Sequence, residues 1–277
     1  MQTAYSLISK RRRSGFDALA LTLSLVFFSY GCSSGPVLKV PTHEEQVQQD
    51  NAIGLELSRQ FESKLKLKTD SEVQTYLQRV AQRLADATPD LKSAKMDVLL
   101  VNDKPGLWQN FGLPGYRIYL SSGLLRNLEF ENEVAAVIAY ELAHLLKRDA
   151  LSNLKKSTGV DSVELSVPGS LLLHAGEDSK GVAFSGPKGI FQFKEDQILA
   201  ADASAVSLLY RTGYDARGLV SVWEKYGAHA DHSPYSHDLL SRLSEQARQT
   251  IDLYVPLRNP VVRSDAFHGI QERIRKL

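Results

Sequence analysis

The sequence predicts an α+β domain that is mostly helical, with a small β-sheet and one strongly apolar helix near its middle. Three observations carry this. Apolar residues recur at helical spacing in several long segments. Only two short runs read as strands. No internal repeat or low-complexity tract interrupts the 277 residues.

From about Thr42 the chain turns helical, with Val47, Ile53, Leu57 and Phe61 spaced along one stripe between Glu and Gln. A second helix spans 71–87. Ser71 is its candidate N-cap, Val73, Leu77, Val80 and Leu84 share a face, and Pro89 stands beyond its end. Residues 96–101 (MDVLLV) read as a strand, and Asn102, Asp103, Lys104, Pro105 and Gly106 supply turn chemistry. Residues 117–121 (RIYLS) alternate and read as a second strand. A third helix spans 131–148. The Gly- and Ser-containing stretch 159–193 suits a loop or lid. A fourth helix spans 194–212 and is closed by Gly213, and the segments 219–226 and 239–253 also read as helical. Residues 42–277 are therefore read as one domain.

Composition narrows the function classes. With 43% hydrophobic and 23% charged residues the chain is ordinary globular protein, not a disordered chain, a collagen or a polytopic membrane protein. Lys plus Arg (33) nearly balance Asp plus Glu (32), and a net charge of +1 leaves no basic face for general nucleic-acid binding.

The N-terminus reads as a targeting segment. Lys10, Arg11, Arg12 and Arg13 precede an apolar run, 18–28, in which only Thr22 and Ser24 are polar. That run is shorter than the ~20 residues a spanning helix needs. The sequence Ser29-Tyr30-Gly31-Cys32 follows and resembles a bacterial lipobox. Residues 1–31 are then a lipoprotein signal peptide and 32–41 a tether. Cys32, the only cysteine, is the lipid anchor that holds the protein on a membrane. Ser33 resembles an outer-membrane sorting signal. The expected location is the periplasmic face of the bacterial outer membrane.

The third helix carries the chemistry. Tyr140 and His144 lie four residues apart and share a face, with Glu141 beside them. Ionisable groups in an apolar helix are costly unless partnered. Taken alone, these residues also fit a core helix with one Glu–His hydrogen bond.

The wider pattern adds to this. Residues 110–125 (NFGLPGYRIYLSSGLL) precede the helix and Glu131-Asn132-Glu133 opens it. Downstream come Ala200-Ala201-Asp202, residues 208–215 (LLYRTGYD), Trp223-Glu224-Lys225 and Ser236-His237. Across residues 44–253 this ordered set resembles the HtpX/BepA/Oma family of zinc metallopeptidases, which are gluzincins. It looks most like compact bacterial lipoprotein members that lack a repeat domain.

The resemblance implies a zincin-like domain built around an active-site helix. In the family's H-E-x-x-H motif, two His ligands flank a Glu general base on one helix face. The first His falls on Tyr140, the base on Glu141 and the second His on His144. A third ligand, a Glu of the next helix, falls on Ile198. The Asp that orients the first His falls on Asp202. Two of the three ligands are thus replaced. Zinc is the family's cofactor, and the expectation here is a degenerate peptidase with weak or absent activity. Glu195 and His237 are the candidate substitutes, beside His144, for an alternative active zinc metalloendopeptidase with a nonstandard ligand set. A second alternative is a purely structural envelope lipoprotein. His229 and His232 cluster near His237, and His174 falls in the lid-like stretch. Tyr140 and Asp202 are expected to pair by hydrogen bond, keeping the contact between their helices. The strand 117–121 resembles the family's edge strand on which an extended peptide lies, so the expected partner is extended or unfolded polypeptide, in a role such as outer-membrane protein quality control.

Overall fold

The computed structural model describes residues 42–63, 65–91, 94–102, 107–158 and 193–277. The expected signal peptide, the expected tether with Cys32, His174 and the expected lid up to residue 192 lie outside the described residues. Helix α1 (His43–Glu62) begins at a reciprocal cap: Thr42 Oγ1 accepts from the Glu45 N–H at 3.2 Å, and the Glu45 carboxylate accepts from the Thr42 N–H at 2.8 Å. Helix α2 (Ser71–Asp86) is capped by Asp70 and not by Ser71. The Asp70 carboxylate accepts from the N–H groups of Glu72 and Val73. The stripe read from sequence is the buried one, since Val73, Leu77, Val80 and Leu84 are all in the core.

Four strands follow: β1 (Leu67–Lys68), β2 (Asp97–Val101), β3 (Phe111–Leu113) and β4 (Arg117–Ser121). They form one sheet in the order β1-β2-β4-β3, with β2 and β4 parallel and both outer pairs antiparallel. The expectation of a peptide-binding edge at 117–121 is corrected here, because β4 is flanked on both sides. The outer strand, β3, is itself buried.

Alternation explains the layers, because successive strand residues face opposite sides. Val98, Leu100, Ile118 and Leu120 join the main core with α2 and the helices below. Phe111, Leu113 and Tyr119 join a second core with Ile53, Leu57 and Phe61 of α1. Phe111 and Tyr119 are register partners, and their rings stack at 4.6 Å. Helix α1 is pressed onto the β3–β4 turn at Gly54, where a Cβ would lie 1.6 Å from the Pro114 carbonyl oxygen. Only glycine permits that approach.

A short α3 (Ser122–Arg126) leads into α4 (Glu131–Leu146), whose residues from Glu131 to His144 are all buried. Then come α5 (Asp149–Thr158), α6 (Glu195–Arg211), α7 (Arg217–Ala228), α8 (His237–Asp252) and α9 (Asp265–Arg275). Gly213 closes α6 with φ +78°. Helix α4 is covered by α2, α6 and α7 and by the sheet, and this is why it is apolar nearly all round. Among the described residues no helix is long and apolar enough to cross a membrane.

Candidate functional site

Helix α4 places Tyr140 one turn before His144, and their rings meet edge to face at 4.8 Å. Helix α6, packed against α4, carries Ile198 one turn before Asp202. Ile198 and Tyr140 lie in the same apolar core. Trp223 of α7 meets the Tyr140 ring at 5.0 Å, and Phe193, just before α6, stacks on the His144 imidazole at 4.0 Å. Tyr235, before α8, packs edge-on against Trp223 at 5.9 Å. A run of rings, Phe193–His144–Tyr140–Trp223–Tyr235, therefore lines the contact between α4, α6 and α7.

His144 Nδ1 is 2.7 Å from Asp149 Oδ2, the first residue of α5, and Gln197 donates to the other Asp149 oxygen at 3.0 Å. Burial lowers the His144 pKa, against the opposing pull of Asp149. The ring is therefore neutral, Nδ1–H is the donor, and Nε2 keeps its lone pair. That Nε2 is buried without a hydrogen-bond partner. The hydrogen-bonded partner of His144 is Asp149, not Glu141.

Glu141 is 3% exposed, and burial alone pushes its carboxyl up to about 8. Asp202 is fully buried. Desolvation raises it to about 7, against hydrogen bonds from Trp223 Nε1 at 2.8 Å and Gln246 Nε2 at 3.2 Å. The expected Tyr140–Asp202 hydrogen bond is not formed, and the Asp202 carboxylate accepts from Trp223 and Gln246 instead. The Tyr140 phenol is held well above its usual range, first by burial and then by the neighbouring Tyr235 phenol. The Tyr140 hydroxyl lies beside the Tyr235 hydroxyl, short of full hydrogen-bond geometry.

Tyr140, Glu141, His144, Ile198 and Asp202 thus come together. Glu195 and His237 are not drawn in. Glu195 is exposed and paired with Arg242, and His237 is exposed at the first turn of α8. His229 and His232 pack against Trp108 instead, the second stacked at 5.1 Å. Sequence reasoning missed Asp149, Gln197, Phe193, Tyr235 and Gln246. For Asp149 the available signal was a carboxylate opening the next helix, five residues past His144.

The match to known families now has a geometry to rest on. Residues 71–260 match peptidase family M48. The chain belongs to peptidase family M48. The M48 match spans α2 through the C-terminal side of α8, so it contains every residue of the site. The chain is 26% identical over 212 residues to the beta-barrel assembly-enhancing protease of Yersinia pestis, covering 74% of this chain and 41% of that protein. It is 24% identical over 219 residues to the protein of the same name from Escherichia coli K12, covering 76% and 42%. It is 27% identical over 141 residues to the mitochondrial metalloendopeptidase OMA1 of Arabidopsis thaliana, covering 51% and 28%. The chain spans about two fifths of the length of the first two relatives.

M48 peptidases depend on zinc, so the donor set decides whether zinc fits here. His144 does: a neutral imidazole with Nδ1 on a carboxylate and a bare Nε2 is how a zinc-ligating His is held. The rest does not. Ile198 offers no donor atom. The Tyr140 phenol resists deprotonation. Zinc sites need three protein ligands of N, S or O type. Among the described residues no three His, Cys, Asp or Glu side chains converge in that way. The side chains at this site do not fit a zinc ion.

Proposed function

We propose that this M48 domain is a degenerate peptidase of the bacterial envelope, held at the outer membrane through a lipidated Cys32. It acts by binding or scaffolding extended polypeptide in outer-membrane protein quality control. One observation carries this reading: the two positions where the family has ligands hold a phenol, packed edge-on against the one remaining imidazole, and the sec-butyl side chain of Ile198 in the apolar core. The quality-control role is supported by the likeness to beta-barrel assembly-enhancing proteases.

The residues that remain have structural roles in this reading. Asp149 and Gln197 orient His144, Trp223 and Gln246 anchor Asp202, and the rings exclude water. Glu141 stays a neutral acid below about pH 8 and has no metal-bound water from which to take a proton.

The test is the zinc content of the full chain purified in detergent. Sub-stoichiometric, chelator-labile zinc is expected, and near-stoichiometric tight zinc would overturn the reading. The double substitution Tyr140→His with Ile198→Glu restores the missing donors and should produce stoichiometric zinc. A folded double variant without zinc would show that the two positions do not face one centre. Photo-crosslinking to unfolded outer-membrane proteins separates a polypeptide-binding role from a purely structural one.

A further inference from the structure

A second feature lies outside the ring stack. A cavity of about 270 Å³ opens between α1, the 3₁₀ turn Pro89–Leu91, the β3–β4 turn and the junction of α4 with α5. His144 borders it, but Tyr140, Ile198 and Phe193 do not, so the fate of the zinc site does not enter the argument.

Backbone strain is gathered at this cavity. Among the described residues only two non-glycine residues have left-handed φ, Tyr116 at 65° and Arg148 at 55°, and both line the cavity. Gly115, at φ 82°, lines it too. Such conformations persist only where the surroundings enforce them, and they collect at ligand clamps.

An unused donor is present as well. Arg148 Nη2 donates to Asp50 Oδ1 at 2.6 Å, while Arg148 Nε–H is buried without a partner. A guanidinium fork is built to hold two acceptors side by side. Asp50 meets one arm and leaves the other for a further oxygen.

The charge balance limits what can supply that oxygen. Among the described residues Arg148 pairs with Asp50, Asp90 stands on the exposed rim of the same cavity, and the C-terminal end of α4 adds negative dipole. Burial raises the Tyr116 phenol, and Asp50, Arg148 and Asp90 then act on it, which places these three charges around one ring. The excess is negative, so a second carboxylate is repelled and an ammonium is attracted. Val47, Leu91 and Leu151 supply apolar wall. The volume is below the ~300–1,000 Å³ of sites for drug-sized ligands, so it suits a single residue.

We propose that this cavity takes an α-aminoacyl group with an aliphatic side chain. The ammonium sits against Asp90, the adjacent carbonyl accepts from Arg148 Nε–H, and the side chain lies on the apolar wall. The N-terminal residue of a polypeptide and a small amino-acid amide share this chemistry.

Calorimetric titration of the full chain in detergent with L-leucinamide tests it. Saturable binding is expected. N-acetyl-leucinamide, which lacks the ammonium, and leucine, which adds a carboxylate, should each bind at least about tenfold more weakly. Arg148→Gly removes the guanidinium where glycine adopts the positive φ freely, and it should keep its far-UV circular dichroism yet bind leucinamide about tenfold more weakly. Asp90→Asn, on the exposed rim, should weaken binding without touching the core. Binding by the amide of Leu-Gly-Gly assigns a polypeptide N-terminus, and its failure assigns a small amine. No saturable binding, equal binding of the acetylated amide, or unchanged affinity in both variants would overturn the proposal.

Discussion

Replacing Glu141 by Gln should stabilise this protein, and by more as the pH rises. The carboxyl is buried in α4, and desolvation lifts it from an ordinary 4.5 to about 8. The sign follows from proton counting. Between those two values the unfolded chain has released a proton that the folded chain keeps. Folding is therefore penalised increasingly with pH, and the penalty vanishes below the unfolded value. At pH 7 the gap is about 2.5 pH units, worth about 3 kcal/mol, and at pH 5 it is under ~1 kcal/mol. Glutamine has the same shape and does not titrate, so Glu141→Gln removes the penalty. Urea unfolding followed by circular dichroism at pH 5 and pH 7 reads the difference. The variant should gain about 2–3 kcal/mol more at pH 7 than at pH 5, or roughly 4–10 °C in melting temperature. A bound cation beside Glu141 would hold the carboxylate ionised and erase this pH dependence. A gain that is flat across the range, or a variant less stable at pH 7, refutes the account of Glu141 as an uncompensated buried acid.

Two further substitutions test the surroundings. Gly54→Ala sets a methyl 1.6 Å from the Pro114 carbonyl oxygen, so α1 must lift from the β3–β4 turn, and thermal melts should show a loss of about 3 kcal/mol. Asp149→Ala leaves His144 Nδ1 and the Gln197 amide without their shared acceptor. It should cost about 2–4 kcal/mol in urea unfolding, with the secondary structure retained.

The long elements were legible because their patterns are long. The face Val73, Leu77, Val80, Leu84 needs only periodicity, and it is the buried face. Strand β4 ends where its alternation ends, and α6 stops one residue short of the expected Thr212. Short elements carry too few residues to show a period: β1 has two and β3 three, and both lay in stretches read as connections. The edge reading of β4 came from the resemblance, and β3, too short to show a period, is the strand that covers that side. Ser71 lost the cap to Asp70 because the two neighbours are chemically equivalent as caps, and backbone geometry chose between them. Helix α9 is different. Phe267, Ile270 and Ile274 carry a readable stripe, and all three are buried.

The site was half legible for a chemical reason. Metal ligands come from few residue types at fixed spacing, so a phenol at Tyr140 and an alkyl side chain at Ile198 stand out in the chain against the family's pattern. What fills their place cannot be read in that way, because aromatic packing accepts many partners in many orders. Phe193 reaches His144 across 49 positions of sequence, and Trp223 reaches Asp202 across 21. Neither pairing has a sequence period. The same packing explains why the two replacements belong together. Histidine alone at position 140 would stand among the rings of Trp223 and His144 without a second ligand on α6, with only the Asp202 carboxylate and the Tyr235 hydroxyl nearby as polar partners. Glutamate alone at position 198 would be a buried charge without a cation. A donor at either position alone therefore completes no ligand set, which is why Tyr140→His and Ile198→Glu are tested together.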